Sequence, residues 1–373
     1  MPKRLLIITD EMEMGGTQRQ IVELAKFIDH DAFNLSLVYF RNGSPYVDEL
    51  REAGVEVTLI QKRWKLDPMF FLRLCRFVRR GEFDLVHAFS FSGEAWGWLA
   101  NLVSGQGRFI SSVRSVYEWY TPLQWSIKRW LTLNSAALVA NSKAGAEHAA
   151  FKMGVRQELV DVVHNSVCMP SIEIDKDDAV LQVTHDVARV VFVGRLVDHK
   201  NVACLLRAFA LVAEQGNAAQ LDIVGDGPKR AELETLAKSL GVESRVNFHG
   251  ERRDVGRFLH RSDIYVLTSY REGLCNAVME AMSAGLAVIA TNVGGNCELV
   301  SHGHSGLLFP SDDHETLATM LLELLSDKEK RQELGGNARA AMQRFHDPRR
   351  MAAEMERIYE RCLVEEKAFV MGR

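Results

Sequence analysis

The chain has 373 residues, which is the length of about two domains. Apolar residues make up 47% of the chain and charged residues 25%, as is common in globular proteins. The formal charge of −4 lacks the basic excess of a dedicated nucleic-acid binder. The sequence shows no apolar run long enough to span a membrane and no apolar stretch of a signal peptide near its first residues. We therefore expect a cytoplasmic protein that binds no nucleic acid.

Short apolar runs alternate with amphipathic helical patterns along the chain, which predicts parallel sheets covered by helices. A first set of predicted strands spans residues 5–8, 35–39, 55–60, 85–88, 109–113, 138–140 and 160–163. A second set spans residues 190–193, 221–224, 246–248, 264–267 and 287–290.

The stretch 168–186 separates the two sets, and its Pro170 and acidic run predict a linker. The sequence therefore predicts an α/β protein with two doubly wound, Rossmann-like domains, residues 1–170 and 187–347. We expect these domains to face each other across a cleft. Residues 348–373 carry apolar side chains on one helical face, which predicts a C-terminal helix that packs back on the first domain.

The loops after the predicted strands are candidate sites, because doubly wound sheets bind ligands beyond the carboxyl ends of their strands. Gly15 and Gly16 follow the first strand, where glycines allow close approach and a helix N-terminus favours an anion. A tight turn explains this pair equally well, and neither predicted domain opens with the Gly-x-Gly-x-x-Gly dinucleotide motif. Gly225 and Gly227, before Pro228, likewise suit either a nucleotide or a plain turn.

Charged residues follow two strands of the second predicted domain. Arg195 and Lys200 can together reach a phosphate pair, although a solvated basic turn has the same composition. Glu272 and Glu280 flank the start of a predicted helix, with Asn276 as its N-cap. Two carboxylates suit sugar hydroxyls, whereas exposed helix acids without a function are also common.

In this order, the motifs resemble those of glycosyltransferase family 4, whose members are retaining enzymes with the GT-B fold. The resemblance covers nearly the whole chain. It is carried by Gly15-Gly16, Gly194-Arg195 with Lys200-Asn201, Gly225-Asp226-Gly227-Pro228, Arg245-Val246 with His249-Gly250, Glu272 with Glu280, Ala284-Gly285, Gly294-Gly295 with Glu298, and Gly303 with Gly306.

The resemblance implies roles for the matching residues. Arg195, Lys200 and Glu272 would be catalytic, with the two cations stabilising the departing diphosphate and Glu272 holding the transferred sugar. Glu280 would bind the ribose hydroxyls, and the base would lie near residues 249–252. The full set of implied donor contacts is Gly15, Gly16, Gly225, Gly227, His249, Arg252, Gly273, Leu274, Cys275, Asn276 and Glu280.

The family usually proceeds by front-face attack, so the anomeric configuration is retained. The nucleotide-sugar is then a substrate, and no cofactor is expected. Metal is not expected either, because the two Asp-x-Asp triplets, at residues 29–31 and 175–177, sit in a predicted turn and in the predicted linker.

Four residues are candidates for the acceptor or sugar side: Gln18, Arg19, His87 and Arg114. Arg114 stands near the position where many family members carry histidine, and its guanidinium can meet phosphate or a hydroxyl but cannot act as a neutral base. His87 ends a neighbouring strand, where a lone histidine is more often structural. Ser166 stands where the family usually has glycine, for which we expect altered hinge geometry with activity kept.

Residues 62–80 contain seven basic residues, one acid (Asp67) and an apolar stripe at helical spacing. Pro68 is predicted to start this helix. The segment suits an anionic membrane surface. A helix packed on the core, with a solvated basic face, is an equal alternative.

The sequence thus predicts a retaining, hexosyltransferase-type glycosyltransferase with a nucleotide-sugar donor and a glycan or lipid-linked acceptor. Synthesis of bacterial cell-surface polysaccharide or lipopolysaccharide at the inner face of the membrane fits the basic segment. The alternatives are a transferase for a small soluble acceptor and a non-catalytic scaffold that binds nucleotide-sugar.

Overall fold

A computed structural model describes residues 1–64, 66–105, 107–117, 120–168 and 187–364. The chain divides into two compact units. The N-terminal unit consists of Met1–Ser166 together with Pro348–Arg373, and the C-terminal unit consists of Val167–Asp347. The N-terminal unit is therefore made from two separate stretches of sequence.

The N-terminal unit is built on a seven-stranded parallel sheet with the strand order β3-β2-β1-β4-β5-β6-β7. Its strands are β1 (Lys3–Ile8), β2 (Phe33–Tyr39), β3 (Glu56–Leu59), β4 (Leu85–Ala88), β5 (Arg108–Val113), β6 (Ala137–Ala140) and β7 (Val160–Val162). Its helices are α1 (Gly16–Phe27), α2 (Tyr46–Glu52), α3 (Pro68–Gly81), α4 (Phe91–Ser104), α5 (Pro122–Leu133), α6 (Lys143–Met153) and α14 (Pro348–Val364).

Helices cover both faces of this sheet, which explains why its central strands are continuous apolar runs. Successive residues of β1 alternate between the two faces. Leu5 and Ile7 belong to a core cluster with residues of α1 and α14. Leu6 and Ile8 belong to a second cluster with residues of α3 and α4. The sheet is therefore buried between two apolar layers.

Helix α14 completes one of these layers. Its residues in the core cluster recur at helical spacing and are Met351, Ala352, Met355, Ile358, Tyr359 and Cys362. The ring of Tyr359 packs edge-on against Phe33 of β2, with 5.7 Å between ring centroids. The last helix of the chain is thus part of the core of the N-terminal unit.

The C-terminal unit contains a six-stranded parallel sheet with the strand order β10-β9-β8-β11-β12-β13. Its strands are β8 (Arg189–Val193), β9 (Gln220–Val224), β10 (Val246–Gly250), β11 (Ile264–Leu267), β12 (Ala287–Thr291) and β13 (Leu307–Phe309). Its helices are α7 (Val202–Glu214), α8 (Arg230–Ser239), α9 (Val255–His260), α10 (Asn276–Ala284), α11 (Asn296–Leu299), α12 (His314–Ser326) and α13 (Lys328–Phe345). This unit has an apolar core of its own.

All the predicted strands are confirmed, with ends displaced by at most two residues. Strand β13 was not predicted, because three residues before Pro310 give too little periodicity to recognise. Helix α3 begins at Pro68 as predicted, and the side chain of Asp67 caps it by accepting from the amide of Phe70 at 2.9 Å. Most of the predicted linker, residues 169–186, lies outside the described residues. In the described part of the chain, no helix combines the length and the apolar character needed to cross a membrane.

Candidate functional site

Four loops of the C-terminal unit follow the carboxyl ends of β8, β9, β11 and β12. The parallel strands bring these loops to one edge of the sheet. Most of the predicted catalytic and donor-binding residues lie on them.

The centre of this edge is an ion pair between Lys200 and Glu272. The Nζ of Lys200 lies 2.6 Å from Oε1 of Glu272, and the same oxygen accepts from Ser269 Oγ at 2.6 Å. The side chains of Lys200 and Glu272 are 15% and 12% exposed, so both are largely desolvated. Burial alone would lower the pKa of Lys200, but attraction to Glu272 outweighs it and raises that pKa above its ordinary value. Lys200 therefore stays charged at neutral pH.

Backbone contacts hold the Lys200 and Glu272 loops together. The carbonyl of Lys200 accepts from Thr268 Oγ1 at 2.9 Å. The carbonyl of His199 accepts from the amide of Tyr270 at 2.8 Å. These bonds join the loop after β8 to the loop after β11 on either side of the ion pair.

Arg195 lies in the same loop as Lys200 but in different surroundings. Its side chain is exposed, and its guanidinium has no hydrogen-bond or ion-pair partner among the described residues. Arg195 therefore offers an uncompensated positive charge at the sheet edge, as expected of a group that binds a ligand anion.

Two pairs of glycines allow the four loops to approach closely. A Cβ at Gly225 would lie 1.9 Å from the carbonyl oxygen of Gly194, and one at Gly227 would lie 2.4 Å from that of Leu196. Likewise, a Cβ at Gly294 would lie 2.0 Å from the carbonyl oxygen of Glu272. A Cβ at Gly295 would lie 1.9 Å from the carbonyl oxygen of Gly273. Gly225 and Gly227 are thus needed for their loop to pack against the backbone on either side of Arg195. The interpretation of these glycines as nucleotide contacts did not include this packing role.

Helix α10 carries the remaining predicted donor contacts. It begins at Asn276, so the prediction of Asn276 as the N-cap is wrong. Cys275 occupies the cap position in an extended conformation (φ −80°, ψ 110°), and the helix therefore starts one residue earlier than predicted. Glu280 is half-buried one turn into the helix, and Gly273, Leu274 and Cys275 form the buried segment before it.

Cys275 contributes its backbone and not a reactive thiol. Its side chain is 5% exposed, and burial raises the pKa of the thiol to about 11. The thiol is therefore protonated at neutral pH and cannot serve as a nucleophile.

The predicted base-binding residues lie at the end of β10 and just after it. The Nε2 of His249 lies 2.6 Å from Oδ1 of Asp222, a buried carboxylate on β9. Arg252 donates two hydrogen bonds of 2.9 Å to the carboxylate of Asp254 and is exposed. His249 is thus held in a fixed orientation, whereas Arg252 is engaged in a surface ion pair.

In the N-terminal unit, Gly15 stands at the N-cap of α1 and Gly16 is its first residue. No side chain caps this helix at Gly15. Gln18 donates from Nε2 to the carbonyl of Glu11 at 3.2 Å. Arg19 lies 2.9 Å from buried Glu23 and 3.6 Å from Glu49, so its charge is balanced inside the unit.

His87 does not fit its predicted place on the acceptor or sugar side. It is fully buried, and its ring nitrogens lie 2.8 Å from Tyr359 Oη and 2.8 Å from Ser112 Oγ. Burial, with smaller effects of Arg114 and Lys128, lowers the pKa of His87 well below its ordinary value. His87 is therefore a neutral core histidine that links α14 to the sheet, and the structural interpretation holds.

Arg114 follows β5 and remains the better candidate on this side. Its Nη2 donates to Asn165 Oδ1 at 2.7 Å, and its guanidinium lies 5.3 Å from the centre of the Phe89 ring. Burial lowers its pKa to about 10, so it is still charged at neutral pH. Its buried Nε has no hydrogen-bond partner within the described ranges.

Sequence reasoning missed Ser269 and Asp222. Ser269 lies two residues after the end of β11 and three residues before Glu272, and Asp222 alternates with the apolar residues of β9. A polar residue inside a buried strand is the signal that points to Asp222. Among the residues the structure describes, no group of three or more His, Cys, Asp or Glu side chains is placed to hold a metal ion.

Two family models match the chain: "Glycosyltransferase Family 4" over residues 14–168 and "Glycosyl transferases group 1" over residues 173–341. The chain belongs to the glycosyltransferases of family 4, and its two Rossmann-like domains have the GT-B fold.

Curated relatives and solved structures are consistent with this family. The N-acetyl-alpha-D-glucosaminyl L-malate synthase of Bacillus anthracis is 33% identical over 168 residues, 45% of this chain, and the alignment spans only 44% of that relative's length. The UDP-Gal:alpha-D-GlcNAc-diphosphoundecaprenol alpha-1,3-galactosyltransferase of Escherichia coli is 24% identical over 333 residues, 84% of this chain and 86% of that protein. Anabaena Alr3699/HepE in complex with UDP and glucose superposes with a TM-score of 0.83 at 22% identity, covering 95% of this chain and 98% of that one.

Proposed function

We propose that this glycosyltransferase transfers a hexose from a nucleotide-sugar, with retention of configuration, to a hydroxyl of a glycan or lipid-linked acceptor. The observation that carries the proposal is the charged Lys200 fixed by Glu272, with the unpartnered guanidinium of Arg195 in the same loop. One fixed cation and one exposed cation beside a desolvated carboxylate suit a diphosphate leaving group next to a sugar.

The relatives support the choice of substrates. The name of the E. coli protein specifies a UDP-sugar donor and a diphosphoundecaprenol-linked acceptor, and HepE was crystallised with UDP and glucose. Other relatives are named for lipopolysaccharide core biosynthesis in Rhizobium meliloti and for amylovoran biosynthesis in Erwinia amylovora. We therefore propose a UDP-sugar donor and a role in bacterial cell-surface polysaccharide or lipopolysaccharide synthesis.

The proposed chemistry relies on charge stabilisation and positioning. The acceptor oxygen bonds to the anomeric carbon on the face from which the diphosphate departs. The bond between the anomeric carbon and the diphosphate oxygen breaks, and the acceptor proton passes to that oxygen. Arg195 and Lys200 stabilise the developing negative charge, Glu272 orients Lys200 and the sugar, and Glu280 binds the ribose hydroxyls. This route uses no metal and no protein nucleophile.

A thermal-shift panel with UDP, GDP, ADP and their sugar conjugates tests the donor site. A ligand at 100 times its dissociation constant adds about 2.7 kcal/mol of stability. We expect one nucleotide, UDP, to stabilise the parent but not Glu280→Ala. Glu243→Ala, which removes an exposed acid of the same unit, serves as the control and should respond like the parent.

Stabilisation by none of these nucleotides would contradict the donor site. Stabilisation without turnover on any acceptor would favour the scaffold alternative. Efficient transfer to a small soluble acceptor would replace the lipid-linked acceptor.

We further propose that the N-terminal unit docks on an anionic membrane. Trp64, Leu66, Met69 and Leu72 are all more than half exposed, at the start of the basic helix α3. Aromatic, aliphatic and basic side chains together suit the membrane interface. The protein should float with vesicles that contain phosphatidylglycerol at low salt, and less so as salt rises. Equal recovery with pure phosphatidylcholine vesicles would contradict this docking.

A further inference from the structure

The outer face of α3 borders a surface pocket of about 430 Å³. Four guanidinium groups line it, those of Arg4, Arg73, Arg76 and Arg80, against the single carboxylate of Glu56. Arg73, Arg76 and Arg80 lie on one helical stripe, so they repel one another and concentrate positive potential in the pocket.

None of the four guanidinium groups of this pocket forms an ion pair with a residue that the structure describes. Arg4, Arg76 and Arg80 are exposed, and their guanidinium groups have no ion-pair or hydrogen-bond partner in the part of the chain that the structure describes. Arg73 bonds only to neutral groups, donating to the carbonyls of Gln61 at 2.8 Å and Met69 at 3.2 Å. Arg73 is therefore held in place while its charge remains available to a ligand.

The floor of the pocket contains two packed aromatic rings. The rings of Phe77 and Phe83 lie 5.9 Å apart, and the guanidinium of Arg4 lies 5.8 Å from the centre of the Phe83 ring. A Cβ at Gly81 would lie 2.0 Å from the Phe83 ring, so glycine there leaves room for this arrangement. An apolar floor below several guanidinium groups favours a compact anion with an organic substituent.

The pocket is separate from the predicted donor contacts of its own unit. Arg4 and Phe83 stand at the amino ends of β1 and β4, whereas Gly15 follows the carboxyl end of β1. We propose that this arginine pocket binds the phosphomonoester or diphosphate headgroup of a membrane lipid. The inference rests on the proposed docking to an anionic membrane, and it adds a recognised headgroup to that docking.

Arginine matches phosphate oxygens through paired hydrogen bonds, whereas a diffuse basic surface responds only to charge density. The test therefore compares vesicles that contain phosphatidic acid with vesicles that contain phosphatidylserine at the same zeta potential. We expect about tenfold tighter binding to phosphatidic acid, the equivalent of one charge-assisted hydrogen bond.

A matched pair of variants isolates the pocket. Arg76→Ala/Arg80→Ala should abolish the preference for phosphatidic acid. Arg63→Ala/Arg79→Ala removes the same charge from exposed residues outside the pocket lining, so it should weaken binding to both vesicles equally. Equal loss in both double variants, or no preference in the parent, would overturn the proposal. Unfolding curves of both variants check that each is folded.

Inorganic pyrophosphate distinguishes the source of the phosphate. At constant ionic strength it should remove the preference for phosphatidic acid, because it occupies the same guanidinium groups. Failure to compete would overturn phosphate recognition. The lipid source would be overturned if the parent bound none of the anionic vesicles but still bound pyrophosphate in a ³¹P NMR titration. In that case the titration would show weaker pyrophosphate binding for Arg76→Ala/Arg80→Ala than for Arg63→Ala/Arg79→Ala. The nucleotide thermal shift should be the same in both double variants, which separates this pocket from the donor site.

Discussion

Lys200 is charged, although its burial alone would favour the neutral amine. Burial lowers the pKa of a lysine, and the nearby carboxylate of Glu272 more than reverses the effect. A raised pKa means that the interaction stabilises the fold fully below the ordinary lysine pKa and is lost only as the pH rises past the raised value. The pair is therefore intact at any pH at which the enzyme would normally be assayed.

We expect Lys200→Met to lower kcat by about 10²–10³-fold, the usual effect of removing one group that stabilises developing charge. Lys330→Met is the control, because Lys330 is a lysine of the same unit whose ion pair, to Glu323, joins α13 to α12 outside the four loops of the site. Steady-state kinetics of both variants, with nucleotide binding measured separately, checks the prediction. A similar loss in both would show that general charge matters and not the position of Lys200.

Gly294 tests the close approach of the loops. An alanine there meets both a positive φ of 51° and the carbonyl oxygen of Glu272 at 2.0 Å. Gly303→Ala meets a φ of 76° but no atom within 4 Å, so it isolates the conformational cost of about 1 kcal/mol. We expect both variants to lose stability, and only Gly294→Ala to lose nucleotide binding and turnover. Denaturant unfolding and thermal shift with nucleotide separate the two effects.

At the scale of elements, the N-terminal unit depends on a chain of buried polar contacts. Tyr359 of α14 contacts His87 of β4, which contacts Ser112 of β5. The amide of Ser112 donates to the carboxylate of Glu94 of α4, and its carbonyl accepts from Lys128 of α5. Lys128 and Glu94 also form an ion pair with each other. The helices on both faces of the sheet are thus tied to its centre through specific polar groups.

This contact chain makes the unit sensitive to acid. The pKa of His87 is well below 6.5, so below that pH the unfolded chain binds a proton that the folded chain does not. The free energy of unfolding should therefore fall as the pH drops below 6.5, and the decline should level off once the pH passes the lowered pKa of His87. His87→Gln should remove that part of the slope, whereas His30→Gln, at an exposed histidine of the same unit, should keep it. Urea unfolding between pH 7 and pH 5 measures both slopes, and equal slopes would contradict the assignment.

The elements also show what a sequence can and cannot predict. Strands β1 to β12 were recognisable because continuous apolar runs and helical periodicity are local signals. The roles proposed for Lys200, Glu272 and Arg195 come from the order of the motifs, which is itself in the sequence. The burial of His87 could not be predicted from the sequence, since its partner Tyr359 is 272 residues away. The start of α10 was missed because the cap position is taken by Cys275, which is not a usual capping residue.

At the scale of the whole molecule, the N-terminal and C-terminal units bury their apolar side chains in separate clusters. The predicted catalytic cations belong to the C-terminal unit, and the basic helix α3 and its arginine pocket belong to the N-terminal unit. The proposed phosphate-binding cations and the proposed membrane-docking surface therefore lie in different units.

We expect calorimetry to resolve two unfolding transitions, one for each unit. A nucleotide that binds the C-terminal unit should raise the midpoint of one transition by more than that of the other. The His87→Gln variant should alter the other transition, which identifies it as that of the N-terminal unit. A single transition that responds as a whole to both changes would contradict this division.

The return of the chain into its first domain has a consequence for biosynthesis. Helix α14 supplies core residues to a domain whose other elements end at Ser166, so 181 residues of the C-terminal unit must be translated in between. At about 5–20 residues per second, the nascent N-terminal domain waits on the order of 10–40 s for its last helix. The apolar face that α14 later covers stays open on the ribosome during that interval. The domain that begins first is therefore the one completed last, and it is the one that we expect nascent-chain chaperones to protect.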